Sequence, residues 1–397
     1  MKKDEEITHL PGKDIRLFQI DVPQNAMNDL NERLDRSRYP ELADTGWERG
    51  VPLEYLKELK TYWQHQYDWR KHEQRLNEWP HYIAEIDGQN IHFLHIRSSE
   101  PNAKPLMLIH GWPGSFAEFL NVIKPLTSPR QHGGESADAY HLIIPSIPGF
   151  GYSIPLNEPG WTPSQIARVF LRLMDRLGYE HFGVQGGDSG AFIAPEMGRL
   201  APDRLIGIHL NALLTFPPGD EDGLDQLTDR EQMYLLRMQN FNDGYLQIQS
   251  KSPQTIAYAL HDSPIGQLAW IAEIFKKWTS PADALPETSI DRDWMLTNIS
   301  LYWFTGTAGS SAQIYYESMN DPEAWIPKER GTVPTGVLVS SSQDMTVRTF
   351  AEKNHHIVHW TECDEGGHFY AVEQPKRFVE DVRRFFRKIT EPPNPNS

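Results

Sequence analysis

The chain holds a single cysteine, Cys363, among 397 residues. An internal disulfide is therefore impossible, and a cysteine-based zinc site has too few ligands. Basic residues are also short, 38 against 54 acidic ones, for a net charge of −16. Proteins that bind nucleic acid displace counterions with a basic face, so this balance excludes that class and favours an enzyme acting on small molecules. No apolar run approaches the ~20 residues that a membrane span requires. The opening MKKDEEITHLPGKD has charge but no apolar stretch behind it. Neither a signal peptide nor a membrane anchor is expected, and the default location is cytoplasmic. Fixed-period repeats are missing, and low complexity is confined to the tail TEPPNPNS, which is expected to fray. What is plentiful is aromatic: 12 tryptophans suit an apolar ligand pocket, and a large core equally.

The first stretch, residues 1–85, reads as a helical, aromatic arm. Leu30 and Leu34 repeat at helical spacing, as do Tyr55, Leu56, Leu59 and Trp63. The texture changes near residue 82. IAEIDGQNIHFLHIRS reads as a hairpin turning at Asp87-Gly88. PLMLIHGWPGS and YHLIIPSIPGFGYS are short apolar runs that end in Gly/Pro loops. TPSQIARVFLRLMDRLGY is an amphipathic helix, capped by Thr162 with Pro163 at its first position. HFGVQGGDSG is a strand meeting a tight turn. Strands alternating with helices predict an α/β fold with a mostly parallel sheet flanked by helices, over 86–214 and 321–397. The alternation stops over 215–320, a helical stretch read as a lid above the carboxyl edge of the sheet, where active sites of such folds lie.

A small residue on either side of a nucleophile, each two positions away, marks a strained strand-to-helix turn. Two registers fit. Gly186-x-Asp188-x-Gly190 puts a carboxylate at the apex; Gly187-x-Ser189-x-Ala191 puts a hydroxyl there. The aspartate register is preferred, because it has glycine on both sides. The serine register sets Ala191 and bulky Phe192 where helix and strand should pack closely. A plain helix cap is the other role for Asp188. The partners should follow in the order nucleophile, acid, histidine. Asp344 comes after the strand GVLVSSS, and His368 after IVHWTE, in GGHFY. Asp364 is a rival acid, but lies four residues from His368 in the same loop. His110, in IHGWPG, is expected to shape its loop rather than do chemistry.

With these residues in place, the chain resembles the microsomal-type epoxide hydrolases, including the insect juvenile-hormone enzymes, which have the α/β-hydrolase fold. The resemblance runs over nearly the whole chain. It is carried by FQIDVPQNAMNDLNERLDRSRYP, YWQHQYDWRKHEQRLNEWPHY, HGWPGSFAEF, PSIPGFGYS, QGGDSGAFIAPEMG, GYLQIQSKSPQTIAYALHDSPIGQLAWI, SSAQIYYES, VPTGVLV and GGHFYAVEQP. It implies Asp188 as nucleophile, Asp344 as acid and His368 as base. It further implies Tyr245 and Tyr315 as lid tyrosines holding the epoxide oxygen. Tyr316 adjoins Tyr315, about 100° round a helix, so only one of the two can point inward. Two departures stand out. Many relatives have Trp directly after the nucleophile, where this chain has Ser189, and microsomal relatives often use Glu as the acid. The mammalian members also carry a membrane-anchoring N-terminus, and no such segment is expected here.

These roles imply an epoxide opened to a vicinal diol through an ester on Asp188, which is then hydrolysed by His368-activated water. The backbone N–H groups of Trp112 and Ser189 would meet the oxyanion. No metal or cofactor is called for. The expected partners are a small hydrophobic epoxide and water, with a homodimer left open. Three rivals share the scaffold: a dehalogenase with Asp188 as nucleophile and Trp112 as halide donor, a serine esterase using Ser189, and a ligand binder without catalysis.

Overall fold

The computed structural model describes residues 15–217, 227–326 and 328–390. Nine strands form one sheet: β1 (Ile15–Phe18), β2 (His81–Ile86), β3 (Gln89–Ile96), β4 (Lys104–Ile109), β5 (Tyr140–Pro145), β6 (Phe182–Gly187), β7 (Leu205–Asn211), β8 (Pro334–Ser340) and β9 (His356–Cys363). Their order is β1-β2-β3-β5-β4-β6-β7-β8-β9. The first three are antiparallel to their neighbours, and β5 onward are mutually parallel. The expected hairpin is β2–β3. Its turn residues Asp87 and Gly88 both have positive φ, 54° and 79°, as a two-residue hairpin of this twist needs. The central parallel strands β4 and β5 are mostly apolar and buried because both faces of the sheet are covered there, whereas the edge strand β9 is mostly half-buried or exposed. Along β4 the neighbours alternate, with Met107 and Ile109 in one apolar cluster and Leu106 and Leu108 in the other.

Helices α1 (Gln24–Asp35), α2 (Leu53–His65) and α3 (Trp69–Leu76) make up the arm. The sheet is flanked by α4 (Leu120–Thr127), α5 (Pro163–Arg176) and α6 (Ser189–Leu200). The lid stretch holds α7 (Asp229–Gln239), α8 (Gly244–Lys251), α9 (Pro253–Asp262), α10 (Pro264–Trp278), α11 (Arg292–Thr305) and α12 (Ala308–Asn320). The chain closes with α13 (Arg348–Asn354), α14 (Tyr370–Glu373) and α15 (Pro375–Thr390). α5 opens as expected, with the Thr162 side chain accepting the Gln165 N–H and Pro163 behind it. One expectation fails locally. The arm is not wholly helical, since Ile15–Phe18 adds an edge strand to β2. Four residues are too few to show a period of two. Beyond Thr390, which ends α15, the tail expected to fray lies outside the described residues. Among those described, no helix is long and apolar enough to cross a membrane.

Candidate active site

Asp188 sits between the end of β6 and the start of α6, at φ 52°. A left-handed, non-glycine residue at that point is strained, and its flanks show how the strain is accommodated. A Cβ at Gly186 would run into the Gly190 carbonyl, and one at Gly190 into the Ile109 carbonyl. The crowding thus falls on the two glycines of the aspartate register. One carboxylate oxygen, Oδ1, accepts the Trp112 N–H at 2.9 Å and the Ser189 hydroxyl at 3.0 Å. Ser189 therefore reaches the carboxylate with its side chain, an arrangement the backbone-donor expectation missed. The other oxygen, Oδ2, faces His368 Nε2 at 3.5 Å.

His368 follows β9. Burial lowers its pKa and the Asp188 charge opposes that shift, so the ring favours the neutral form that a base requires. Asp344 follows β8 and is buried. Its carboxylate accepts the Ser340 N–H at 2.7 Å. Burial pushes its pKa up to about 7, against that hydrogen bond and the nearby Arg237 guanidinium. Arg237 of α7 holds the loop by donating to the Asp344 carbonyl at 2.7 Å. Among the described residues, no hydrogen bond joins the His368 ring to Asp344. The rival Asp364 points to solvent and pairs with Arg230 at 3.5 Å. His110 is buried, accepts the Ile147 N–H at 3.3 Å and is kept neutral by burial, its pKa pushed down to about 4.

Two lid tyrosines converge above Asp188. Tyr245 of α8 stacks on Trp112, with centroids 5.1 Å apart and planes 6° apart. Tyr315 of α12 stands perpendicular to both rings, 5.8 Å from each. Its hydroxyl is buried and interacts with the Tyr245 hydroxyl and the Asp188 charge. Burial, then the Asp188 charge, raises the pKa of both phenols. They stay protonated and can donate. Tyr316 faces outward, 41% exposed.

Sequence reasoning passed over two residues here. Glu118, from the segment FAEF, lines a small cavity with Asp188, Asn211 and His368. The cavity has room for about one water molecule. Burial and the Asp188 charge raise the Glu118 pKa well above normal, so its carboxyl is neutral and can donate. The only sequence signal is a lone acid in an apolar segment. Trp278, at the end of α10, lies 4.6 Å from the His368 ring. No group of acidic, histidine or cysteine side chains among the described residues could hold a metal.

Comparisons with known proteins place the chain in a family. Residues 15–119 match the family described as "Epoxide hydrolase N terminus", and residues 104–257 match "alpha/beta hydrolase fold". Epoxide hydrolase 1 of Sus scrofa is 36% identical over 94% of this chain and 88% of its own. The crystal structure of juvenile hormone epoxide hydrolase from the silkworm Bombyx mori superposes with a TM-score of 0.85, at 31% identity over 96% of each chain. The Aspergillus niger epoxide hydrolase structure gives 0.82, at 29% identity over 96% of this chain and 97% of its own. The matched families and these relatives together show that the chain is a member of the epoxide hydrolase family with the α/β-hydrolase fold.

Proposed function

We propose that this enzyme converts a small hydrophobic epoxide to its vicinal diol through an ester on Asp188. The observation that carries the proposal is the pairing of an anchored carboxylate with two protonated phenols across an aromatic pocket. Because Oδ1 is already held by Trp112 and Ser189, Oδ2 is the free nucleophile. Oδ2 attacks an epoxide carbon, and the ring C–O bond breaks. The electron pair moves to the epoxide oxygen, which takes a proton from Tyr245 or Tyr315. Water then adds to the ester carbon while giving a proton to His368 Nε2. Negative charge collects on Oδ1, opposite the Trp112 N–H. The bond from the ester carbon to Oδ2 breaks, and the imidazolium proton passes to the departing oxygen. The Asp188 carboxyl returns the remaining proton to the tyrosinate. Asp344 stabilises the imidazolium through its charge.

This sequence of bonds predicts where water's oxygen goes. In a single turnover of styrene oxide in ¹⁸O water, the label should enter the Asp188 carboxylate and the diol should be unlabelled. Label in the first diol formed would overturn the ester mechanism. Asp188→Asn should abolish turnover, apart from activity recovered by slow deamidation, whereas Ser189→Ala should retain most of it.

A further inference from the structure

The end of α10 touches the machinery through three consecutive residues. The Trp278 carbonyl accepts the His368 N–H at 2.8 Å. The Thr279 carbonyl accepts Nε2 of Gln343, the residue before Asp344, at 2.8 Å. The Ser280 N–H donates to Glu373 at 2.9 Å, and Glu373 also accepts the Phe369 N–H, directly after His368. The base loop and the acid loop are thus both tied to one short piece of lid backbone. The tie is close. A Cβ at Gly367 would run into the Trp278 carbonyl and the Glu373 carboxylate, which accounts for the glycine before His368.

The Trp278 side chain adds a second link. Its ring is nearly buried, 8% exposed, and tilted 43° to the His368 ring at 4.6 Å. It also stands edge-on to Tyr245, at 5.3 Å and 76°. An aromatic face attracts a cation, more strongly where water is excluded. His368 becomes a cation only in the second half-reaction, when it takes the proton of the attacking water. The interaction therefore stabilises that step more than the alkylation before it, which is the differential that accelerates a reaction.

We propose that Trp278 is a positioning residue for the base: its carbonyl fixes the His368 loop, its ring carries the imidazolium charge, and the lid thereby controls hydrolysis of the ester. The inference rests on Asp188 and His368 acting as proposed above. Its test separates the two half-reactions. Ester on Asp188 is followed by mass spectrometry after rapid mixing of enzyme in excess over styrene oxide, for the intact chain and for Trp278→Phe and Trp278→Leu. Ester hydrolysis should fall about tenfold in the leucine variant and about threefold in the phenylalanine variant, which keeps a weaker aromatic face. Alkylation should fall less in each, so the ester accumulates. Equal losses in both half-reactions, or equal effects of Phe and Leu, would reduce Trp278 to packing. If the leucine variant does not fold, an unchanged hydrolysis rate in Trp278→Phe overturns the proposal alone. Absence of any ester in the unmodified enzyme would instead sink the catalytic reading itself.

Discussion

Asp344 has two demands on it that conflict. To stabilise the imidazolium it must be ionised, yet burial raises its pKa to about 7. The charged fraction therefore grows as pH rises through about 7, and ester hydrolysis should grow with it. A kcat profile already flat between pH 5 and 8 would rule this out. Stability should move the other way. A carboxyl whose folded pKa exceeds its unfolded value binds its proton more tightly when folded, so its contribution is lost as pH climbs between those values. Asp344→Asn should therefore cripple turnover while raising the Tm at pH 8 by roughly a few degrees. A large fall in Tm would mean that the carboxylate holds the loop together. At this scale, the glycine flanks of Asp188 were legible because crowding at a tight turn has a local signature. Glu118 and Trp278 were not, because proximity to Asp188 and His368 comes from chain crossings that local pattern does not encode.

Among elements, the instructive pair is Tyr315 and Tyr316 on α12. Adjacent helical residues diverge by about 100°, so the helix itself sorts them. Tyr315 turns its hydroxyl into the site, and Tyr316 faces water. In a single turnover, Tyr315→Phe or Tyr245→Phe should slow alkylation about a hundredfold through loss of acid assistance. Tyr316→Phe should leave both half-reactions within about twofold of the original, as expected of a surface change. Comparable losses at positions 315 and 316 would mean that α12 is rotated from the orientation described. Long elements with full periodicity, such as α5, were readable from sequence. So was the β2–β3 hairpin, through its Asp-Gly turn. The strand β1 was not, because it exists by pairing with β2 rather than by its own pattern.

Across the whole molecule, the arm is joined through α11 to the loop that carries Trp112, the proposed oxyanion donor. Trp63 donates its indole N–H to Ser300 at 3.0 Å, Tyr62 donates to Asp293 at 2.8 Å, and Tyr67 meets Thr297 at 3.0 Å. From its other side α11 grips the loop that carries Trp112. Asn298 donates to the Pro113 carbonyl at 2.7 Å and accepts the Ser115 hydroxyl at 2.7 Å, and Tyr302 donates to the Gly114 carbonyl at 2.7 Å. α11 is buried along most of its length, so it has no amphipathic stripe, and sequence could not show which of its polar residues serve the loop. These bonds matter because, among the described residues, Trp112 supplies the one backbone N–H donated to the Asp188 carboxylate. Asn298→Ala breaks both of these side-chain bonds at once, removing the donor to the buried Pro113 carbonyl and the acceptor of the Ser115 O–H, a cost of about 1–3 kcal/mol for a buried group left unpaired. Any shift of the Trp112 N–H weakens the oxyanion contact, so ester hydrolysis should fall about tenfold or more. Trp63→Ala, one layer further out, opens a cavity and should cost about 3–5 kcal/mol of stability. If the arm only covers the lid, Trp63→Ala will lower the Tm and leave the half-reactions unchanged at temperatures where the protein stays folded. If it also sets the oxyanion loop, hydrolysis will slow in Trp63→Ala as well, and the Asn298 and Trp63 losses will fail to add in the double variant, as expected of residues acting through one helix.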